Sequence, residues 1–495
     1  MSLPAWWSQT VLELAPLLPG LRVAFYASGG APYHHAALVA HWGGVPHPLS
    51  AGAIRGGALG DFDVLIVPGG GLNGMSGLLA PLGADGAGAI RDWVEAGGMY
   101  VGSCAGAYLP ARWPQGFARE HAAQQALNLL DVEMANASEA GLGGLDSPGV
   151  GVVQVAVQAP AHWLTDGLPE RFQMVHYNGP CFLPPPEWAV TALIGTGSGS
   201  TESGGTGSGS TESGGTESGG TGAGFTPWER MLPTETLVAP LLAERLTSQG
   251  CSNVVAGSCG DGQVVLFGSH PEFGFDALQL GWGAAARMLG NALAYQATQR
   301  AARPPLPVST PGALPATPLG ALADDFARAG KRLAAFRPDA DALVGAPGFL
   351  GRAPADLFSE ALRLAAEVNG RVARALRQLA GAGPIPAHLS HWVSRVPEEG
   401  QDYGFVGLIQ LAARLHALID SAEQRQTQPP AAFPSPYGHW DQHPYHLLAS
   451  SYLSAAGLSA SAALASGTLI RLGGHDIELP HALTSPPHLI PQEQP

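Results

Sequence analysis

Up to residue 300 the chain alternates short apolar runs with Gly-rich turns and stretches of helical periodicity, the rhythm of an α/β layered fold. Strand-like runs fall at Leu21–Tyr26, Asp63–Val67, Met99–Ser103, Gly151–Val157, Phe172–Tyr177, Trp188–Ile194 and Gln263–Gly268. Between them Ala31–Trp42 reads as a helix, and Asp85–Ala96 sets Ile90, Trp93 and Val94 on one face. Phe275–Tyr295 closes the segment, with Leu278, Trp282, Met288, Leu289 and Leu293 near helical spacing. Uninterrupted apolar strands such as VLIV suit a mostly parallel sheet with helices on both faces.

Beyond residue 318 the apolar period becomes helical throughout. Leu319–Phe336, Ala355–Ala380 and Asp402–Arg425 are predicted helices, the last carrying Phe405, Leu408, Ile409, Leu415, Leu418 and Ile419 as its stripe. Other stretches lack any such pattern. The decamer GSGSTESGGT occupies 197–206 and again 207–216, so the segment 195–224 has no apolar surface to bury and is expected to be a disordered insertion inside one domain. Ala301–Pro318, rich in Pro and Ala, reads as a linker, and from Thr427 onward Pro, His and Ser predict weak order. The expected plan is an α/β domain at 1–300, a linker at 301–318, an all-α helical domain at 319–426 and a weakly ordered tail at 427–495.

Composition narrows the function classes. Hydrophobic residues make up 45% of the 495 and charged residues 13%, so global disorder is excluded. Lys+Arg 24 against Asp+Glu 39 leaves a net charge of −15, with Lys331 the one lysine. A phosphate-tracking surface is not expected, so no nucleic-acid partner is predicted. No uncharged apolar run approaches the ~20 residues that cross a bilayer, and MSLPAWWSQTVLELAPLLPG does not read as a secretory leader. Cys104, Cys181, Cys251 and Cys259 are too few for a disulfide framework. A cytoplasmic protein with reduced thiols and no membrane association is the expectation.

The most informative segment is MYVGSCAGAYLP at 99–110, in which an apolar strand runs into Gly102-Ser103-Cys104-Ala105-Gly106 and then a helix-compatible stretch. This has the form of a nucleophile elbow. Small neighbours permit a strained bend, and the following helix start favours a thiolate. A cysteine nucleophile needs a base with an orienting partner. The strand Gln263–Gly268 ends in Ser269-His270-Pro271-Glu272, which supplies both at a strand's carboxyl end. Val67-Pro68-Gly69-Gly70-Gly71 follows another strand, and the Gly70 amide with that of Ala105 could form an oxyanion hole; a plain tight turn explains the glycines nearly as well. His176, Tyr177 and Asn178 end a further strand, where lining the crevice and plain core packing are equally good explanations. Cys181 reads as structural, and Cys259 in GSCGDG as part of a hairpin turn. His34, His35, His41 and His47, like His439, His443 and His446, lack metal-ligand spacing, so no metal is expected.

The trio PGGG, GSCAG and HPE resembles the class I glutamine amidotransferase superfamily, which implies a flavodoxin-like sheet and a Cys-His-Glu triad. Within it, VAFYASGGAP at 23–32, YVGSCAGAYLP at 100–110, HYNGPCF at 176–182 and VVLFGSHPEF at 264–273 are similar to the biotin-protein ligase amino-terminal domain family, over residues 20–296. The resemblance implies Cys104, His270 and Glu272 as triad positions. Tyr108 stands where glutamine amidotransferases carry Gln, which argues against glutamine as substrate. Ser28-Gly29-Gly30 offers no carboxylate of the kind a related protease-like branch uses, and the GRGRxGR-type loop of a biotin ligase is missing, so no biotin transfer is expected. The expected activity is an amidotransferase-like hydrolase acting on a small amide or acyl substrate without a cofactor. The alternative is a non-catalytic binding or regulatory module of the same fold, with the helical domain as the surface for a protein partner.

Overall fold

The computed structural model describes residues 14–69, 74–113, 118, 126–134, 150–177, 179–183, 190–196, 225–226, 252–273, 280–281, 283–300, 317–336, 354–397, 404–426 and 444–480. Its strands are β1 (Val23–Tyr26), β2 (Pro46–Leu49), β3 (Val64–Val67), β4 (Met99–Ser103), β5 (Val150–Val157), β6 (Arg171–Tyr177), β7 (Val190–Thr196), β8 (Phe225–Thr226), β9 (Ser252–Cys259) and β10 (Gly262–Phe267). Its helices are α1 (Tyr33–His41), α2 (Ala51–Arg55), α3 (Gly74–Glu95), α4 (Ala105–Tyr108), α5 (Gly283–Gln299), α6 (Thr317–Ala335), α7 (Pro354–Ala382), α8 (His391–Ser394), α9 (Leu408–Gln426) and α10 (Pro444–Leu472).

All ten strands belong to one sheet, in which β2-β1-β3-β4-β10 pair in parallel and β9-β7-β5-β6 continue antiparallel. The parallel half is buried on both sides, as its uninterrupted apolar strands predict. Val23, Phe25, Val64, Ile66, Met99, Val101, Val265 and Phe267 face one core. The intervening Ala24, Tyr26, Leu65, Val67, Tyr100, Val264 and Leu266 face the other. This is the two-residue alternation of a pleated strand. The first core is covered by α1, α5 and the later helices, the second by α2, α3 and the region of α4. β2 escaped the sequence reading because PHPL shows no apolar run; a strand with two prolines is tolerated here because it forms the sheet edge. β9 and β10 close the hairpin expected around Cys259, with Gly260 at φ 58°.

The helical segment does not stand apart. Trp392 and Phe405 pack on Phe25 of β1, with ring centroids 6.1 and 5.1 Å away. Ring contact between Tyr33 of α1 and Phe405, at 5.4 Å, extends the same cluster. A helix starting at Asp402 was expected, but the described residues Gly404–Gly407 precede α9 as a non-helical strap. Within it the Phe405 amide donates to Ala27 O at 3.0 Å, and the Tyr33 hydroxyl meets both the amide and carbonyl of Val406 at 3.1 Å. The weakly ordered tail expected from residue 427 also needs correction, because Pro444–Leu472 forms the 29-residue α10. Its residues Ala460, Ala462, Ala463, Leu464 and Ala465 are buried, and it packs against α1, α7 and α9. Enclosed on several sides, α10 needs no polar face and so shows no one-sided stripe to read. Most of the expected 195–224 insertion, most of the linker, and residues 427–443 and 481–495 of the tail lie outside the described residues.

Candidate active site

Three strands of the parallel half deliver the site at their carboxyl ends, where open α/β sheets place ligands. β4 ends at Ser103, and Cys104 follows with φ 50° and ψ −116°, a strained backbone for any residue with a Cβ. Its amide donates to Phe267 O at 2.9 Å and its carbonyl accepts from Ala107 at 2.9 Å, so the bend is pinned between β10 and α4. Close approach of the neighbouring chains explains the small residues. A Cβ on Gly106 would collide with the Val67 carbonyl, and one on Gly69 would collide with Cys104 Cβ and stand 3.0 Å from its sulfur. Helix α4 is a single turn of four residues, so the helix dipole contributes little at the sulfur.

His270 arrives from the loop after β10. Its amide donates to Val175 O at 2.7 Å, and its ring stacks flat on Phe273 with centroids 4.3 Å apart. Its Nδ1 lies 2.7 Å from Glu272 Oε1, which leaves Nε2 for the hydrogen bond with Cys104. Both charged partners are buried. Burial works against a charge on His270, but the Glu272 carboxylate and the Cys104 sulfur outweigh it and push its pKa up to about 10. Burial likewise resists the Glu272 charge, yet His35 and His270 draw that pKa down to about 2. At neutral pH the pair is imidazolium and carboxylate. Cys104 is 6% exposed and belongs to the second core, with the His270 ring hydrogen-bonded to it.

His35, which has no metal-binding spacing in the sequence, is the second histidine at this carboxylate. Its Nε2 lies 3.5 Å from Glu272 Oε2 and 3.0 Å from Ser103 Oγ, and that hydroxyl reaches Glu272 Oε1 at 3.3 Å. Burial holds His35 below the ordinary histidine range, with the Glu272 charge opposing that shift. No local motif announces the contact, because α1 and the His270 loop meet only through the folded sheet.

The other sequence candidates divide. His176 is fully buried behind His270, with Nδ1 3.2 Å from Ser269 Oγ; burial and the His270 charge lower its pKa to about 3. It packs behind the His270 loop and does not line an open crevice. Gly179, in the same HYNGP run, packs so closely that a Cβ there would stand 3.2 Å from Cys104 Cα. Ala105 opens α4 directly after the cysteine, and Tyr108 is buried in the core beneath it. Gly70 and Asn178 lie outside the described residues. Cys181 is buried, and Cys259 ends β9, away from Cys104, His270 and Glu272. Among the described residues no group of His, Cys, Asp or Glu is arranged to hold a metal ion. No described helix is long and apolar enough to cross a membrane.

No family model and no curated protein matches the chain. Among solved structures, a cytoplasmic protein of Salmonella typhimurium is 13% identical, covering 56% of this chain and 98% of its own, at a TM-score of 0.32. A ThuA-like protein of Bacteroides uniformis is 14% identical over 56% of this chain and 91% of its own, at 0.28. A β-galactosidase of Bacillus circulans is 10% identical over 60% of this chain and 33% of its own, also at 0.28. Overlaps this weak carry no weight for the activity of this chain.

Proposed function

We propose that this protein is a cysteine-dependent hydrolase of the amidotransferase-like type, acting on a small amide or acyl substrate. The observation that supports it is the contact geometry: the buried His270 ring lies between Cys104, which it hydrogen-bonds, and Glu272 Oε1, 2.7 Å from its Nδ1. In the proposed reaction the Cys104 thiolate adds to the carbonyl carbon. The oxyanion is met by the Ala105 amide, with Gly70 as the second candidate donor. His270 passes its proton to the leaving amine or alkoxide as the C–N or C–O bond breaks, leaving a thioester on Cys104. Water then attacks the thioester while neutral His270 takes its proton; the carboxylic acid departs and the thiolate–imidazolium pair is restored. Glu272 keeps the imidazole in the tautomer this sequence needs.

Trapping with an activated ester such as p-nitrophenyl acetate tests the proposal. Wild-type protein is expected to form an acyl adduct on Cys104, seen by mass spectrometry, and to release it. His270→Ala is expected to lower acylation by about 10²–10⁴-fold, the usual worth of a general acid–base. Acylation of Cys104 that is no faster in wild type than in His270→Ala would overturn it and leave a binding module as the better account.

A further inference from the structure

We infer that His35 is a positioning residue for this site, fixing the Glu272 carboxylate against His270 through a shared contact with Ser103; the inference rests on the hydrolase proposal above. Glu272 is 2% exposed, so no bulk water stabilises its charge. Its Oε1 receives His270 Nδ1 at 2.7 Å and the Ser103 hydroxyl at 3.3 Å. Its Oε2 has no hydrogen-bond donor within ordinary reach, and the His35 Nε2 stands 3.5 Å from it. A buried carboxylate oxygen in that condition is costly unless a polar group faces it.

Geometry decides the tautomer of His35. Its Nδ1 is buried without a hydrogen-bond partner, whereas Nε2 is 3.0 Å from Ser103 Oγ. With the proton on Nε2, the ring donates to Ser103, directs a positive edge at Oε2, and frees the Ser103 hydroxyl to donate to Oε1. With the proton on Nδ1, a bare nitrogen lone pair would face the carboxylate and a buried N–H would have no acceptor. The first arrangement satisfies more groups and makes a chain from His35 to Ser103 to Glu272 to His270. Ser103 is the residue before the nucleophile, so the chain ties the base's partner to the elbow itself. The titratable groups facing this cluster are His34 beside it on α1, with its ring on Phe273, Cys104 after β4, His176 on β6, and His270 with Glu272 from the loop after β10.

The experiment is the pH dependence of Cys104 alkylation by iodoacetamide, followed by mass spectrometry on the full chain. His35→Phe removes the donor and is expected to move the high-pH inflection toward neutrality by about one unit. His35→Gln, whose amide places a donor near the same point, is expected to restore the wild-type profile. A His35→Phe profile that superimposes on wild type, while His270→Ala displaces it, would overturn the role of His35 and leave the hydrolase proposal standing. A profile unmoved by His270→Ala would remove the hydrolase proposal and this inference with it. Should His35→Phe not fold, ring ¹⁵N shifts of the wild-type protein decide: a neutral His35 protonated on Nε2 supports the inference, and one protonated on Nδ1 refutes it.

Discussion

At the residue scale the site's charges make a sharp statement about pH. The folded pKa of His270, about 10, lies above the 6.5 of a free histidine. Its contribution to stability is therefore complete below pH 6.5 and is lost as pH rises through 10. Glu272 has the opposite sign, because its folded value of about 2 lies below the ordinary 4.5. Its contribution is complete above pH 4.5 and is lost as pH falls through 2. The stability difference between wild type and Glu272→Gln is thus expected to peak between about pH 4.5 and 6.5 and to shrink on either side. Urea titrations across that range would measure it, and a difference independent of pH would mean the pair is not ionised. Cys104, His270 and Glu272 were legible in the sequence because each sits in a short motif whose small neighbours have a steric reason. His35 and Ser103 were not, since a contact across 169 or more positions between Ser103 or His35 and Glu272 leaves no local trace.

At the element scale, periodicity served best where a helix or strand has one wet and one dry face. α6 and α7 match their predicted spans closely because their stripes are one-sided. α10 was missed because its buried positions, among them Ala460, Ala462, Ala463, Leu464 and Ala465, run round the helix and leave no polar face to mark a stripe. Two of its serines are satisfied within the helix, Ser459 Oγ donating to Ala455 O and Ser466 Oγ to Ala462 O, both at 2.7 Å. Asn369 of α7 adds a cross-link, its amide donating to Ser459 Oγ at 2.8 Å. Such close approach leaves no room for larger side chains. Ala463→Leu, at a position 2% exposed, is expected to cost about 1–3 kcal/mol through overpacking. Chemical denaturation would check it; a neutral effect would mean that α10 is looser than described.

At the scale of the whole molecule the α/β sheet and the later helices share one hydrophobic core, running from Phe25 and Trp42 through Trp392 and Phe405 to Leu464. The strap Gly404–Gly407 lies over the end of β1, just before the loop that leads to α1 and His35. The helical half is therefore part of what holds the site's upper loop. Trp392, fully buried, is the side chain that most tests this. Trp392→Ala is expected to cost about 3–5 kcal/mol and to lower the midpoint of a single unfolding transition. Two separated transitions, with only one of them shifted, would show that the halves fold independently.

Pattern and composition were enough to establish a layered α/β chain followed by helices, the elbow at Cys104 and the His270–Glu272 pair, because those depend on neighbours a few residues apart. The antiparallel extension of the sheet, the enclosed α10, the union of both halves in one core and the approach of His35 to Glu272 arose only on folding. Each is a contact between distant segments, chosen by which buried surfaces and charges fit together, and linear order carries no record of that choice.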